Sequence, residues 1–242
     1  MDQIKADIKK LTQARPEQTY EKVLQDLMLT EAELKTQVTA DLRWEKWSLQ
    51  QATDKALHDF FDANKEIFDG TMVRARHILI TPDAKDPQGG DKAKAQLLLI
   101  KQQIEQQVTA GLAKVPAGSD ALAREQARTK LLDEAFAAAA REKSACPSKQ
   151  QGGDVDWFPR AGGMVEPFAK AAFALKPYQM SDVVQTQFGY HLILATDRRP
   201  GKETKYDDVK DDVREVYRER LRESLCAQLR QRATITVAPA AK

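Results

Sequence analysis

The hydrophobic period of this chain changes at Met72 and changes back near Tyr206, and this constrains the fold more than any single motif. Upstream, apolar residues recur every three or four positions. Val23, Leu24, Leu27 and Met28 do so in residues 19–29; Leu34, Val38 and Leu42 follow the capping-box spacing of Thr30 and Glu33; Leu57, Phe60 and Phe61 follow Thr53. From Met72 the period is two: Val73, Ala75, His77 and Leu79 alternate with Arg74, Arg76, Ile78 and Ile80, which predicts a strand with His77 on the face of Val73. A loop over 81–90 leads to a helix capped by Asp91, carrying Ala93, Leu97, Ile100, Ile104 and Val108. Gly111, Pro116 and Gly118 end it, and a second helix covers 120–141. A polar turn over 144–153, a short helix over 169–175, and strands over 183–186 and 191–196 joined at Gly189 complete the middle. Val209, Val213, Val216, Tyr217, Leu221, Leu225 and Leu229 then stripe a helix over 206–230, and residues 234–237 are strand-like. Strands confined to the middle with helices at both ends predict an α+β chain. A small antiparallel sheet surrounded by helices is expected over 71–199, and a helical module formed by 1–70 together with 200–242.

Composition excludes several functions. Lys and Arg number 38 against 36 Asp and Glu, and the two signs are interleaved, so there is no basic patch to hold nucleic acid. No apolar run reaches the roughly 20 residues of a membrane-spanning helix. Cys146 and Cys226 are too few for a disulfide framework, and no His and Cys spacing suggests zinc. The opening Met1-Asp2-Gln3-Ile4-Lys5 lacks the apolar stretch of a secretory signal. The chain is therefore expected to be cytoplasmic if Met1 is its native start, and periplasmic or otherwise extracytoplasmic if a targeting segment has been removed.

Chemistry concentrates in four segments: Arg76-His77-Ile78-Leu79, Gly152-Gly153-Asp154-Val155-Asp156-Trp157-Phe158, Met164-Val165-Glu166-Pro167-Phe168 and Thr186-Gln187-Phe188-Gly189-Tyr190-His191. Read singly, Met164, Phe168 and Phe188 are ordinary core residues, and a lone strand histidine is a satisfied core group. Together the segments resemble the parvulin family of peptidyl-prolyl cis/trans isomerases, over residues 73–198. The resemblance implies a parvulin-like core in which Met164, Phe168, Phe188 and Val155 wall a pocket for the proline ring. His77 and His191 would share a hydrogen-bond network beneath the substrate, Thr186 would support it, and Cys146 would stand where parvulins place a Cys or an Asp facing the amide. Phe168 is expected to face that pocket rather than a closed core. The reaction is rotation about an amide, so neither metal nor cofactor is expected. The loop after the first strand holds Asp83, Asp86 and Asp91 against Lys85 and Lys92, which disfavours a phosphorylated substrate.

The family's usual Gly-Asp-Leu-Gly is Gly153-Asp154-Val155-Asp156 here, so a charged side chain stands where a glycine is usual. The link between the family's first two helices is also expanded, over 109–129. The flanking helices resemble the arms of extracytoplasmic chaperone-isomerases of the SurA and PrsA kind. The resemblance thus implies a foldase acting on unfolded or nascent polypeptides that contain X-Pro. The Leu and Val stripe over 206–230, where the N-terminal helices leave it uncovered, would serve a homodimer through the terminal helices. The alternative is a catalytically weak parvulin-like chaperone that binds client peptides without significant isomerisation.

Overall fold

The computed structural model describes residues 19–234. In chain order these form α1 (Tyr20–Asp26), α2 (Glu31–Gln51), α3 (Asp54–Ala63), β1 (Met72–Ile80), α4 (Gly89–Leu112), α5 (Ala121–Lys143), β2 (Asp154–Pro159), α6 (Glu166–Phe173), β3 (Gln179–Met180), β4 (Val184–Thr186), β5 (Gly189–Arg199) and α7 (Tyr206–Arg230). The strand expected at 234–237 lies outside the described residues apart from Thr234. The chain divides into two compact units, Asn64–Lys205 and the helices before and after it.

In the central unit the strands run in the order β2-β1-β5-β3, with β4 also on β5, and all pairs are antiparallel. The long central strands β1 and β5 are covered on both faces. Ile78, Leu192 and Leu194 pack under α4 and α5, whereas Val73, Ala75, Ile193 and Ala195 pack under α6. That is why Ile78 is fully buried although simple alternation puts it on the polar face with Arg74 and Arg76. The unit begins at Asn64 rather than near Gly70 and runs past Arg199 to Lys205. Arg198 pairs with Glu66, the Lys202 amide donates to the Asp69 carbonyl at 2.8 Å, and the Gly201 amide donates to Thr71 Oγ1 at 3.0 Å.

One helix starts earlier than the sequence predicts, and one strand was not predicted. α4 starts at Gly89, two residues before Asp91, and its first two residues are glycines that lie against the Asp83 carbonyl and the Tyr190 hydroxyl, where a side chain would collide. β2, directly after the turn expected over 144–153, is an edge strand with a bulge. Arg74 pairs with Trp157 and Arg76 with Asp154, so Val155 and Asp156 together oppose one residue. Asp156 takes the left-handed conformation (φ 59°) that its glycine-replacing position demands, and its amide donates to Asp154 Oδ1 at 2.9 Å.

More than half of the expanded link is helical. α4 reaches Leu112 and α5 begins at Ala121, with Asp120 accepting the Ala123 amide at 2.7 Å. In the helical unit, α3 and α7 pack through Tyr206 against His58 and Phe61, Phe60 edge-on to Tyr217, and Lys210 to Asp54 at 2.9 Å. The apolar stripe expected on α2 is covered only in part. Leu34 and Val38 are half-buried but Leu42 is exposed, and the fully buried residue is Ser48, whose hydroxyl accepts from Arg218 Nε at 2.8 Å. The C-terminal half of the α7 stripe is likewise open. Ala40, Trp44 and Trp47 of α2 face Leu225, Cys226 and Leu229 of α7 across a groove of about 520 Å³. Cys226 is exposed at this groove.

Candidate functional site

Antiparallel register brings the two histidines together. His77 in β1 lies opposite Ile193, and His191 in β5 lies opposite Leu79, so the imidazoles are diagonal neighbours on the face that α6 covers. His77 Nδ1 and His191 Nδ1 are 3.1 Å apart. Beyond them, His77 Nε2 meets Ser148 Oγ at 3.1 Å, and His191 Nε2 meets Thr186 Oγ1 at 2.8 Å. The Phe188 amide donates to that same Thr186 oxygen at 3.1 Å. The result is one continuous chain, Ser148–His77–His191–Thr186, crossing the sheet face.

Both imidazoles are neutral near pH 7. Burial and then the neighbouring His191 push the His77 pKa down to about 4, and burial does the same to His191, also to about 4. With two neutral rings, one Nδ1 donates and the other accepts, so the chain has a direction. When His77 donates to His191, His191 donates onward to Thr186 and Ser148 donates to His77. Thr186 Oγ1 then accepts from both His191 and the Phe188 amide, which leaves its own proton free to be donated outward. In the reverse direction the free proton belongs to Ser148.

The apolar residues surround this chain in unequal ways. Phe168 presents its edge to both rings, at 5.5 Å from His77 and 5.4 Å from His191, and is only 3% exposed. Its ring is therefore a buried floor, not the open pocket wall expected from the sequence, because α6 lays it against Phe158 and the strands. Val155 and Met164 are partly buried around the same cluster. Phe188, at the β4–β5 turn, is 55% exposed. Cys146 is half-buried and opens the 3-10 turn Pro147–Gln151 that carries Ser148; the Ala145 amide anchors this segment to the Leu79 carbonyl at 2.8 Å. Among the described residues, no group of three His, Cys, Asp or Glu side chains is arranged to hold a metal ion.

Ser148 was missed by sequence reasoning, since nothing local distinguishes it and its partner is 71 residues away. The turn that delivers it depends on Gly152 and Gly153, both left-handed (φ 67° and 79°). The Gly153 carbonyl accepts the His77 amide at 2.9 Å, and a Cβ on Gly153 would sit 2.4 Å from the His77 carbonyl. Gly153→Ala is expected to cost about 2 kcal/mol or more, whereas Gly162→Ala, at φ 80° with open space around it, pays only the left-handed penalty of about 1 kcal/mol. Denaturant unfolding of the two variants checks this; equal losses would mean that the close approach to β1 contributes nothing.

The family model of the rotamase described as the PPIC-type PPIASE domain matches residues 116–197, which include the turn, α6 and the hairpin but not β1 with His77. The foldase protein PrsA of Bacillus subtilis is 48% identical over 77 residues, 32% of this chain and 25% of its own length. The chaperone SurA of Methylococcus capsulatus is 35% identical over 135 residues, 55% of this chain and 23% of its own. The matched regions thus span about a quarter of either curated relative. A crystal structure of the peptidylprolyl isomerase PrsA from Bacillus anthracis aligns with a TM-score of 0.52 and 24% identity, covering 98% of this chain and 89% of that one, a likeness of fold. A family match that runs through the segments carrying Ser148, Phe168, Thr186 and His191 makes the middle of this chain a parvulin domain of the PpiC type.

Proposed function

We propose that this chain is a peptidyl-prolyl cis/trans isomerase and folding chaperone acting on unfolded, unphosphorylated polypeptides. The observation that carries this reading is the neutral Ser148–His77–His191–Thr186 chain, bordered by Val155, Met164 and exposed Phe188. The barrier to X-Pro rotation, roughly 18–20 kcal/mol, comes from double-bond character in the C–N bond. An apolar surface gripping the proline ring, with a hydroxyl donor that favours the twisted amide over either planar form, lowers it without making or breaking a covalent bond. Met164 and Phe188 are proposed as the walls, Phe168 as the floor, and Thr186 as a donor poised by His191. Cys146 is proposed to place polar character near the amide.

Phosphate finds little attraction in the loop after β1, because Lys92 is already paired with Asp86 at 2.6 Å and Asp83 and Asp91 flank it. Client chains are proposed to rest on the groove between α2 and α7, whose Trp47 and Leu229 are exposed. A second copy of the chain is proposed as another partner for this open α7 stripe, readable by sedimentation. Action outside the cytoplasm belongs to the same proposal, supported by the likeness of the arms to extracytoplasmic chaperone-isomerases.

The test is cis/trans exchange of a prolyl peptide, which takes tens to hundreds of seconds uncatalysed. Acceleration that survives a chelator is expected, with Cys146→Asp keeping more activity than Cys146→Ala. An unchanged exchange rate overturns the isomerase reading and favours a peptide-holding parvulin fold; equal rates for Cys, Asp and Ala reduce position 146 to a space-filling role.

A further inference from the structure

Arg76 precedes His77 in β1, and its guanidinium reaches α5 and the turn that carries Ser148. It meets Asp133 fork to fork, with Nε to Oδ1 at 2.7 Å and Nη2 to Oδ2 at 3.1 Å. Its remaining Nη1 donates to the carbonyls of Gln151 at 3.0 Å and Gly152 at 3.3 Å, and the Asp154 carboxylate lies 3.9 Å from that nitrogen. Arg76 and Asp133 are both largely enclosed, with side chains 17% and 32% exposed. Gln151 and Gly152 are the last residues of the segment that begins at Cys146, and within it the Gly153 amide returns to the Ser148 carbonyl at 2.9 Å. The turn is therefore tied to β1 at both ends of one short stretch, by the Gly153 carbonyl on the His77 amide and by Arg76 on the two carbonyls.

We propose that Arg76, oriented by Asp133, is a positioning residue that sets Ser148 under His77 and so keeps the hydrogen-bonded chain through the histidine pair closed at its Ser148 end. The planar guanidinium is suited to this, because it serves a carboxylate with one edge and two carbonyls with the other. A lysine at the same place has a point charge and can satisfy only part of that set. Without the clamp, the two left-handed glycines leave the turn free to drift, Ser148 leaves His77 Nε2, and that imidazole nitrogen loses its hydrogen-bond partner. The effect on turnover rests on the isomerase reading given above; the effect on the imidazoles does not.

The experiment compares Arg76→Lys, Asp133→Asn and Ser148→Ala in the full chain, by imidazole 15N chemical shifts, prolyl-peptide kcat and KM, and thermal unfolding. Asp133→Asn keeps the shape and an acceptor, so it tests the clamp even if Arg76→Lys folds poorly. Both clamp variants are expected to shift the His77 ring nitrogens in the same sense as Ser148→Ala, and to lower kcat by about tenfold with KM within about twofold. Variants that melt earlier but keep wild-type imidazole shifts overturn the proposal and leave Arg76 as a stabilising ion pair. If the wild-type chain does not accelerate exchange, the isomerase reading falls while the imidazole shifts still decide the clamp.

Discussion

Truncating Phe168 to alanine is expected to cost about 3–5 kcal/mol of stability, the range for a buried phenylalanine. The ring touches a packed cluster that includes Val73, Ala75, Phe158, Ala172, Phe173 and Ile193, and its removal opens a cavity directly beside both imidazoles. Water admitted there would ease protonation of the histidines and disorder their hydrogen bonds, so the protein that remains folded should also turn over more slowly. Phe188→Ala is the informative contrast. That side chain is more than half exposed, so its loss should change stability by less than about 1 kcal/mol while weakening substrate binding. Denaturant unfolding and specific activity measured on both variants separate the roles. A small stability loss for Phe168→Ala with a large one for Phe188→Ala would reverse the assignment of floor and wall.

Acidification is expected to destabilise the chain between pH 6.5 and pH 4 through His77 and His191. Each has a folded-state pKa depressed to about 4 from the ordinary 6.5, so the folded state resists protonation that the unfolded chain accepts. Above pH 6.5 neither state is protonated and the contribution is fully present. As the pH falls the unfolded state binds the extra protons, and the contribution is lost at up to about 1.4 kcal/mol per pH unit for each histidine that titrates, until the folded pKa is reached. The Asp154 carboxyl acts lower in the scale: burial pushes its pKa up, but hydrogen bonds from Arg74 and the Asp156 amide outweigh this and hold it below the usual carboxylate value. Unfolding free energy measured from pH 8 to pH 4 should therefore be flat down to about 6.5 and then fall. His191→Asn should flatten the descending limb, and an unchanged slope in that variant would assign the acid sensitivity to other groups.

Much of this architecture was legible because it depends on residues close in sequence. Helical periodicity located α7 over residues 206–230, the Thr30 and Glu33 spacing marked the start of α2, and alternation from Met72 marked β1. The α+β class followed from strands being confined to the middle. The four segments that resemble parvulins could be recognised because a turn, a helix start and a hairpin each have a local signature. Where local signals misled, tertiary packing had changed their meaning. Gly152 and Gly153 mark a turn, yet the residues directly after them, from Asp154 on, pair with β1 as a bulged edge strand. Leu42 continues an apolar stripe, yet Ser48 is the residue of α2 that is buried.

The sequence by itself determined where the long helices and the strands β1 and β5 form, and which residue types the parvulin resemblance marks for the proposed prolyl chemistry, since propensity, capping and periodicity act over a few residues. Only the tertiary structure decided how those residues meet. His77 and His191 are 114 positions apart, Ser148 is 71 from His77, and Arg76 is 57 from Asp133. Their contacts follow from the register of β1 on β5 and from the path of the chain through α5, which no local pattern encodes. The same packing placed Phe168 inside and Phe188 outside, although the two are chemically identical side chains. Burial is a property of what lies around a residue, and here that comes from α6 folding back onto the sheet.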